Sequence, residues 1–174
     1  MKILIDARFY GLENAGIGRY TMNLVNELQK IDTGNNYIIL LRKKYFDELN
    51  LPKNWEKVKA DIRHYSFEEQ IKLPRIIKKY NPDLTHFLNS NVPVNFKGNF
   101  VVTIHDLTMY KTNMKATTLS IPIYYAKNLV YKKVLEFAVK KSQKIIVPSK
   151  FVKDELVKNF KILEEKVRVT YEGV

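Results

Sequence analysis

The sequence predicts an α/β domain: a Rossmann-like, three-layer arrangement with a mainly parallel sheet. Short apolar runs alternate with helical periodicities along all 174 residues, as strand–helix–strand units require. One run, Tyr37-Ile38-Ile39-Leu40-Leu41, is continuously apolar, as befits a strand buried on both faces, and Phe100-Val101-Val102-Thr103-Ile104 is the strongest strand of the chain. Polar clusters follow three of the runs directly: Asp6 to Gly18, His86 to Asn91, and His105-Asp106. Ligands of open parallel sheets bind at such carboxyl ends.

Composition narrows the function classes. A hydrophobic content of 45% supports a packed core, and the absence of cysteine removes a disulfide framework and any thiolate metal site. No two histidines have metal-ligand spacing, so no metal and no cofactor is expected. The first residues lack the basic start and apolar run of a signal peptide, and no apolar stretch reaches the roughly 20 residues needed to span a bilayer. A cytoplasmic protein is expected, with peripheral membrane contact as an option. The net charge of +12 fits either lysine used for solubility or attraction to anionic lipid or a phosphorylated small molecule. No nucleic-acid-binding motif is present, and nucleic acid is not an expected partner.

The elements come in the following order. Ile3-Leu4-Ile5 is a first strand, ending in Asp6-Ala7-Arg8 and a loop to Ala15. Ile17, Tyr20, Leu24, Leu28 and Ile31 then lie on one helix face. The turn cluster Asp32 to Asn36 leads into the 37–41 strand. Tyr45 to Leu51 is a short helix or loop stopped by Pro52, and Val58 to Arg63 is a weaker strand. Phe67 to Tyr80 reads as a helix with Phe67, Ile71, Ile76 and Ile77 facing the core and Pro74 interrupting it. Asn81-Pro82-Asp83 stops that helix before the short strand Leu84 to Phe87. After the 100–104 strand, residues 107–118 are loop-like, and Leu119 to Lys141 is a long helix. Lys144 to Val147 is a strand, Ser149 caps a helix to Phe160, and Val167 to Tyr171 is a last strand.

Three features carry candidate chemistry. Gly16 and Gly18 stand at a helix N-terminus, where unpaired N–H groups and the helix dipole favour an anion and glycine admits close approach to the backbone. Gly16-x-Gly18-x-x-Thr21 has dinucleotide spacing but lacks the third glycine and comes after a long loop; Arg42 after the second strand leaves an NADP-dependent oxidoreductase as one reading. His105 ends the most apolar strand, where a histidine can serve as acid, base or hydrogen-bond donor. His86 is placed similarly, and His64 reads as a surface or strand-edge residue. The stretch from Leu119 to Lys144 holds six lysines, all within Lys127–Lys144, and one acid, Glu136, interleaved with Ile123, Ala126, Leu129, Val130, Val134, Phe137 and Ala138. That is either a core helix with a solvated face or a surface for an anionic membrane. A non-catalytic module binding lipid or protein through this helix is a further reading.

Five stretches together resemble the retaining glycosyltransferases of family 4: Ile5-Asp6-Ala7-Arg8 with Gly16-Ile17-Gly18-Arg19-Tyr20-Thr21; Asn81-Pro82-Asp83 with Thr85-His86; Thr103 to Leu107; Ile145 to Phe151; and Val169 to Val174. The branch most alike is mannosyltransferase-like. The resemblance implies the N-terminal half of a GT-B fold. It implies transfer of mannose or a similar hexose from a nucleotide sugar to a saccharide or lipid-linked acceptor, with retention and without a required metal. It places Gly16 and Gly18 by the donor phosphates, His105 by the transferred sugar as the catalytic residue, and His86, Asn89 and Asp106 on the acceptor wall. The family's paired-glutamate motif belongs to a second, nucleotide-sugar domain; Glu164 and Glu165 do not supply it. Residues 1–174 are therefore expected to be the acceptor-side domain, inactive alone, with an apolar patch left exposed where the family packs a returning helix.

Overall fold

The computed structural model of the chain describes residues 1–111 and 121–172. Seven strands form one all-parallel sheet: β1 (Lys2–Asp6), β2 (Asn36–Leu41), β3 (Trp55–Lys59), β4 (Leu84–Phe87), β5 (Phe100–Thr103), β6 (Lys144–Val147) and β7 (Val167–Val169). Their order is β3-β2-β1-β4-β5-β6-β7. Successive strands therefore run outward from β1 in one direction, then from β4 in the other. The helices are α1 (Ala15–Ile31), α2 (Lys43–Phe46), α3 (Phe67–Tyr80), α4 (Thr108–Lys111), α5 (Ile121–Lys141) and α6 (Lys150–Phe160).

The apolar runs are buried on both faces, and neighbouring residues divide between two cores. Ile5, Ile39 and Leu41 pack with Val25 of α1. Leu4, Ile38 and Leu40 pack with Leu73 and Ile77 of α3. Leu135, Ala138 and Val139 of α5 and Val152 and Leu156 of α6 extend this second core over Val102, Ile145 and Val147.

Several local expectations are corrected. The third strand is Trp55–Lys59 rather than 58–63, because at the sheet edge it buries only Trp55 and Val58, one toward each core, among charged residues. On α3 the buried stripe is Glu69, Leu73 and Ile77, while Phe67 is 81% exposed and Ile71 is also exposed. Pro74 does not break α3, and Ser66 Oγ caps it by accepting from the Glu69 N–H at 3.2 Å. On α1 the fully buried positions are Gly18, Thr21 and Val25; Tyr20, Leu24 and Leu28 flank them and Ile31 is exposed. The turn after β2 is helical from Lys43 to Phe46, and α4 occupies the start of the expected 107–118 loop. The rest of that loop, residues 119–120, the side chain of Ile123, and Gly173-Val174 lie outside the described residues. In α5, Leu129 and Val130 are 57% and 60% exposed; among the described side chains, Tyr131 packs against the core and Val134, Leu135, Ala138 and Val139 are buried.

Candidate functional site at the carboxyl ends of the strands

The β1–α1 connection is built around two glycines. Gly11 has φ 121°, and a Cβ there would meet the Tyr45 ring. The Gly11 carbonyl in turn sits where a Gly18 Cβ would be, 1.9 Å away. Gly18 is thus required by the loop's approach to the first turn of α1, whereas a Cβ on Gly16 would meet nothing within 4 Å. No side chain caps this helix and no acid stands in its first turn, which leaves its positive end for an external anion.

Tyr20, two residues after Gly18, brings the glycine turn to His105. Its ring packs edge-on against the His105 ring at 4.8 Å, and its hydroxyl lies 3.3 Å from Thr103 Oγ1. His105 Nε2 donates to the Leu88 carbonyl, which only accepts, at 3.0 Å, and Nδ1 stands 3.3 Å from Glu172 Oε1. His86 is buried within β4, 2.9 Å from Thr103 Oγ1, and burial, with His105 nearby, pushes its pKa down to about 4. It reaches the rim through Thr103 and not as an open wall.

Asn89 and Asp106 both stand near Tyr65. Asn89 Nδ2 donates to Tyr65 Oη at 3.1 Å, and Asn89 Oδ1 accepts from the Ser90 hydroxyl and the Asn91 N–H. Asp106 is exposed and accepts from the Thr108 N–H at 2.7 Å. Tyr131 of α5 closes this corner. Burial raises its phenol to about 12, Asp106 and Tyr65 add to that, and the Ser90 hydroxyl bonds to it.

Beneath this corner is a charged cluster that sequence patterning does not reveal. Arg8, 1% exposed, pairs with Asp6 at 2.7 Å and with Glu69 at 2.6 Å. Glu69 also accepts from the Tyr65 N–H at 2.8 Å and from Asn91 Nδ2. Burial opposes ionisation of Asp6, yet the Arg8 guanidinium holds it below its ordinary value; burial raises Glu69 despite the same partner. Arg8 Nη1 is buried with no hydrogen bond among the described residues. His64 is not a surface residue: it stacks on Phe9 at 3.7 Å, and burial followed by Arg8 lowers it to about 4. Arg42, the NADP candidate, pairs with Asp61 at 3.6 Å.

Among the described residues no three His, Cys, Asp or Glu are grouped to hold a metal ion, and no helix is long and apolar enough to cross a membrane. Cavities of about 490 and 330 Å³ lie at the opposite end of the sheet, flanking residues 94–99.

An all-parallel sheet with flanking helices and its polar groups along one carboxyl rim is a Rossmann-like α/β fold, shared with glycosyltransferase structures. The glycosyltransferase family 4 model matches residues 14–174, and the chain belongs to that family. The wall teichoic acid polymerase TagF superposes with a TM-score of 0.55 and 17% identity, over 95% of this chain and 37% of its own. A glycosyltransferase from Rickettsia africae ESF-5 gives a TM-score of 0.53 and 21% identity, over 99% of this chain and 43% of its own. The chain thus spans about two fifths of the length of these structures. No curated protein sequence matches it.

Proposed function

We propose that the chain is the acceptor-side domain of an enzyme that transfers mannose or a similar hexose from a nucleotide sugar to an acceptor, with retention and without a metal. The observation that carries this reading is the Tyr20 contact, which sets His105 beside the α1 turn bearing Gly16 and Gly18. A leaving diphosphate at that turn would be stabilised by N–H groups and the helix dipole, fixed before the bond breaks. His105, tied to Leu88, would present an oriented ring to the transferred sugar. Asn89 and Asp106 would face the acceptor; His86, through Thr103, would position the floor between them. The donor's nucleotide is assigned to a second domain, so residues 1–174 alone are inactive in this reading. The family match, and the pairing of Arg42 with Asp61, weigh against an NADP enzyme.

A second role for α5 is supported by its exposed Tyr125, Leu129 and Val130 beside Lys127, Lys132 and Lys133. We assign that half of the helix to peripheral contact with an anionic membrane surface, at a cytoplasmic face. The transferase reading is tested by incubating the longest translated form of the protein with nucleotide hexoses and determining the product anomer by NMR. Transfer with the donor's anomeric configuration kept supports it; inversion contradicts it.

A further inference from the structure

We infer that Tyr65, Asn89, Asp106 and Tyr131 form a binding site for a saccharide, so that the acceptor is recognised as a sugar rather than through a lipid tail. The inference rests on the reading of this chain as an acceptor-side domain and names the substrate class of that site.

Tyr65 is the residue that points to it. It has φ 58°, a region that bulky residues other than glycine rarely occupy, and its backbone is held there by the N–H bond to Glu69. Yet the residue is 63% exposed. A strained backbone supported from a buried ion pair, carrying an exposed aromatic ring, is an arrangement that folding alone does not favour. Its hydroxyl is already engaged as the acceptor for Asn89, which fixes the ring without covering it. Phe9, stacked on His64, lies edge-on to the same ring at 6.4 Å.

The polar groups around Tyr65 match sugar chemistry. A pyranose offers an apolar C–H face that packs on an aromatic ring and a rim of hydroxyls that both donate and accept. Asn89 and Asn91 each carry donors and an acceptor, Ser90 carries both, and Asp106 offers carboxyl oxygens that accept. Tyr131 adds a second ring with a polar tip, joined to Ser90. An acyl chain would find too little here: apart from the aromatic rings, the corner is amides, hydroxyls and a carboxyl group.

The test is saturation-transfer and 1H–15N NMR on this chain with methyl α-mannopyranoside, methyl β-glucopyranoside and N-acetylglucosamine, against sn-glycerol 3-phosphate and anionic vesicles. At least one saccharide is expected to shift the amides of 65, 89–91, 106 and 131. Tyr65→Gly relaxes the backbone and should leave the melting temperature equal or higher while weakening that saccharide about tenfold; Tyr65→Phe, which keeps the ring, should bind nearly as wild type. Shifts confined to other residues, or unchanged affinity in Tyr65→Gly, overturn the site. Failure of every saccharide to bind, together with transfer by the longest form onto a glycerol phosphate or lipid acceptor, overturns the saccharide assignment alone. Absence of transfer to any acceptor overturns the underlying reading instead.

Discussion

His105 Nε2 lies 3.0 Å from the carbonyl oxygen of Leu88, so the ring just past β5 is anchored to the residue just past β4. The two strands are neighbours in the sheet, Phe87 opposite Val102. The bond therefore sets the ring's orientation from the strand beside its own, and the Tyr20 ring supports it from α1.

His105→Ala in the longest form is expected to lower kcat about 100-fold or more, the scale of a lost positioned acid, base or donor. Thermal unfolding should shift little, because the side chain sits at the rim. Steady-state kinetics and a melting curve on the same preparation check this; wild-type turnover would remove His105 from the mechanism.

Gly18→Ala and Gly16→Ala should separate. The first places a Cβ 1.9 Å from the Gly11 carbonyl and should destabilise by about 1–3 kcal/mol, as overpacking does, while raising the donor KM. The second meets open space and should stabilise by about 0.5–1 kcal/mol through helix propensity. Urea unfolding of both variants decides the point.

Arg8→Met should be among the most damaging single changes. It leaves Asp6 and Glu69 buried beside one another without their cation, a loss on the order of 3–5 kcal/mol. Glu69→Gln keeps the shape and the caps on Tyr65 and should cost less. Equal midpoints for Arg8→Met and wild type would show that the cluster carries no stability.

Acidification should weaken the fold before the carboxylates titrate. His86 and His64 sit at about 4 in the folded chain and near 6.5 when unfolded. Between those values the unfolded chain binds protons that the folded one refuses, so stability falls as pH drops, by up to about 1.4 kcal/mol per unit for each histidine. Asp6, held low, adds the same sign further down; Glu69, held high, works against it. Urea midpoints from pH 7 to pH 5 should decline, with His86→Gln removing part of the slope. A flat profile would contradict the burial of both rings.

Much of the fold was legible because β1, β2, β5 and β6 are apolar runs, and only a sheet covered on both sides consumes such runs. The edge strand is hard to place because Trp55 and Val58, three residues apart, face opposite cores and stand among Glu56, Lys57 and Lys59. Phe67 was read as core because patterning assigns apolar residues inward, whereas Glu69 takes the buried position by meeting Arg8, a partner 61 residues away. Gly18, Asn89, His105 and Asp106 could be located from the strand ends that precede them. Tyr20, Tyr65, Tyr131 and Glu172 could not, because nothing local marks them and only the closed sheet brings them to the rim.

In the proposed function the rim bearing Gly18 and His105 serves donor chemistry only together with a second domain. Isothermal titration of nucleotide hexoses and NADPH into this chain, and into the longest translated form, tests it most directly. Only the longer form is expected to bind a nucleotide hexose, and neither form is expected to bind NADPH. Tight NADPH binding by residues 1–174 would contradict it and make the glycine turn a cofactor site in its own right.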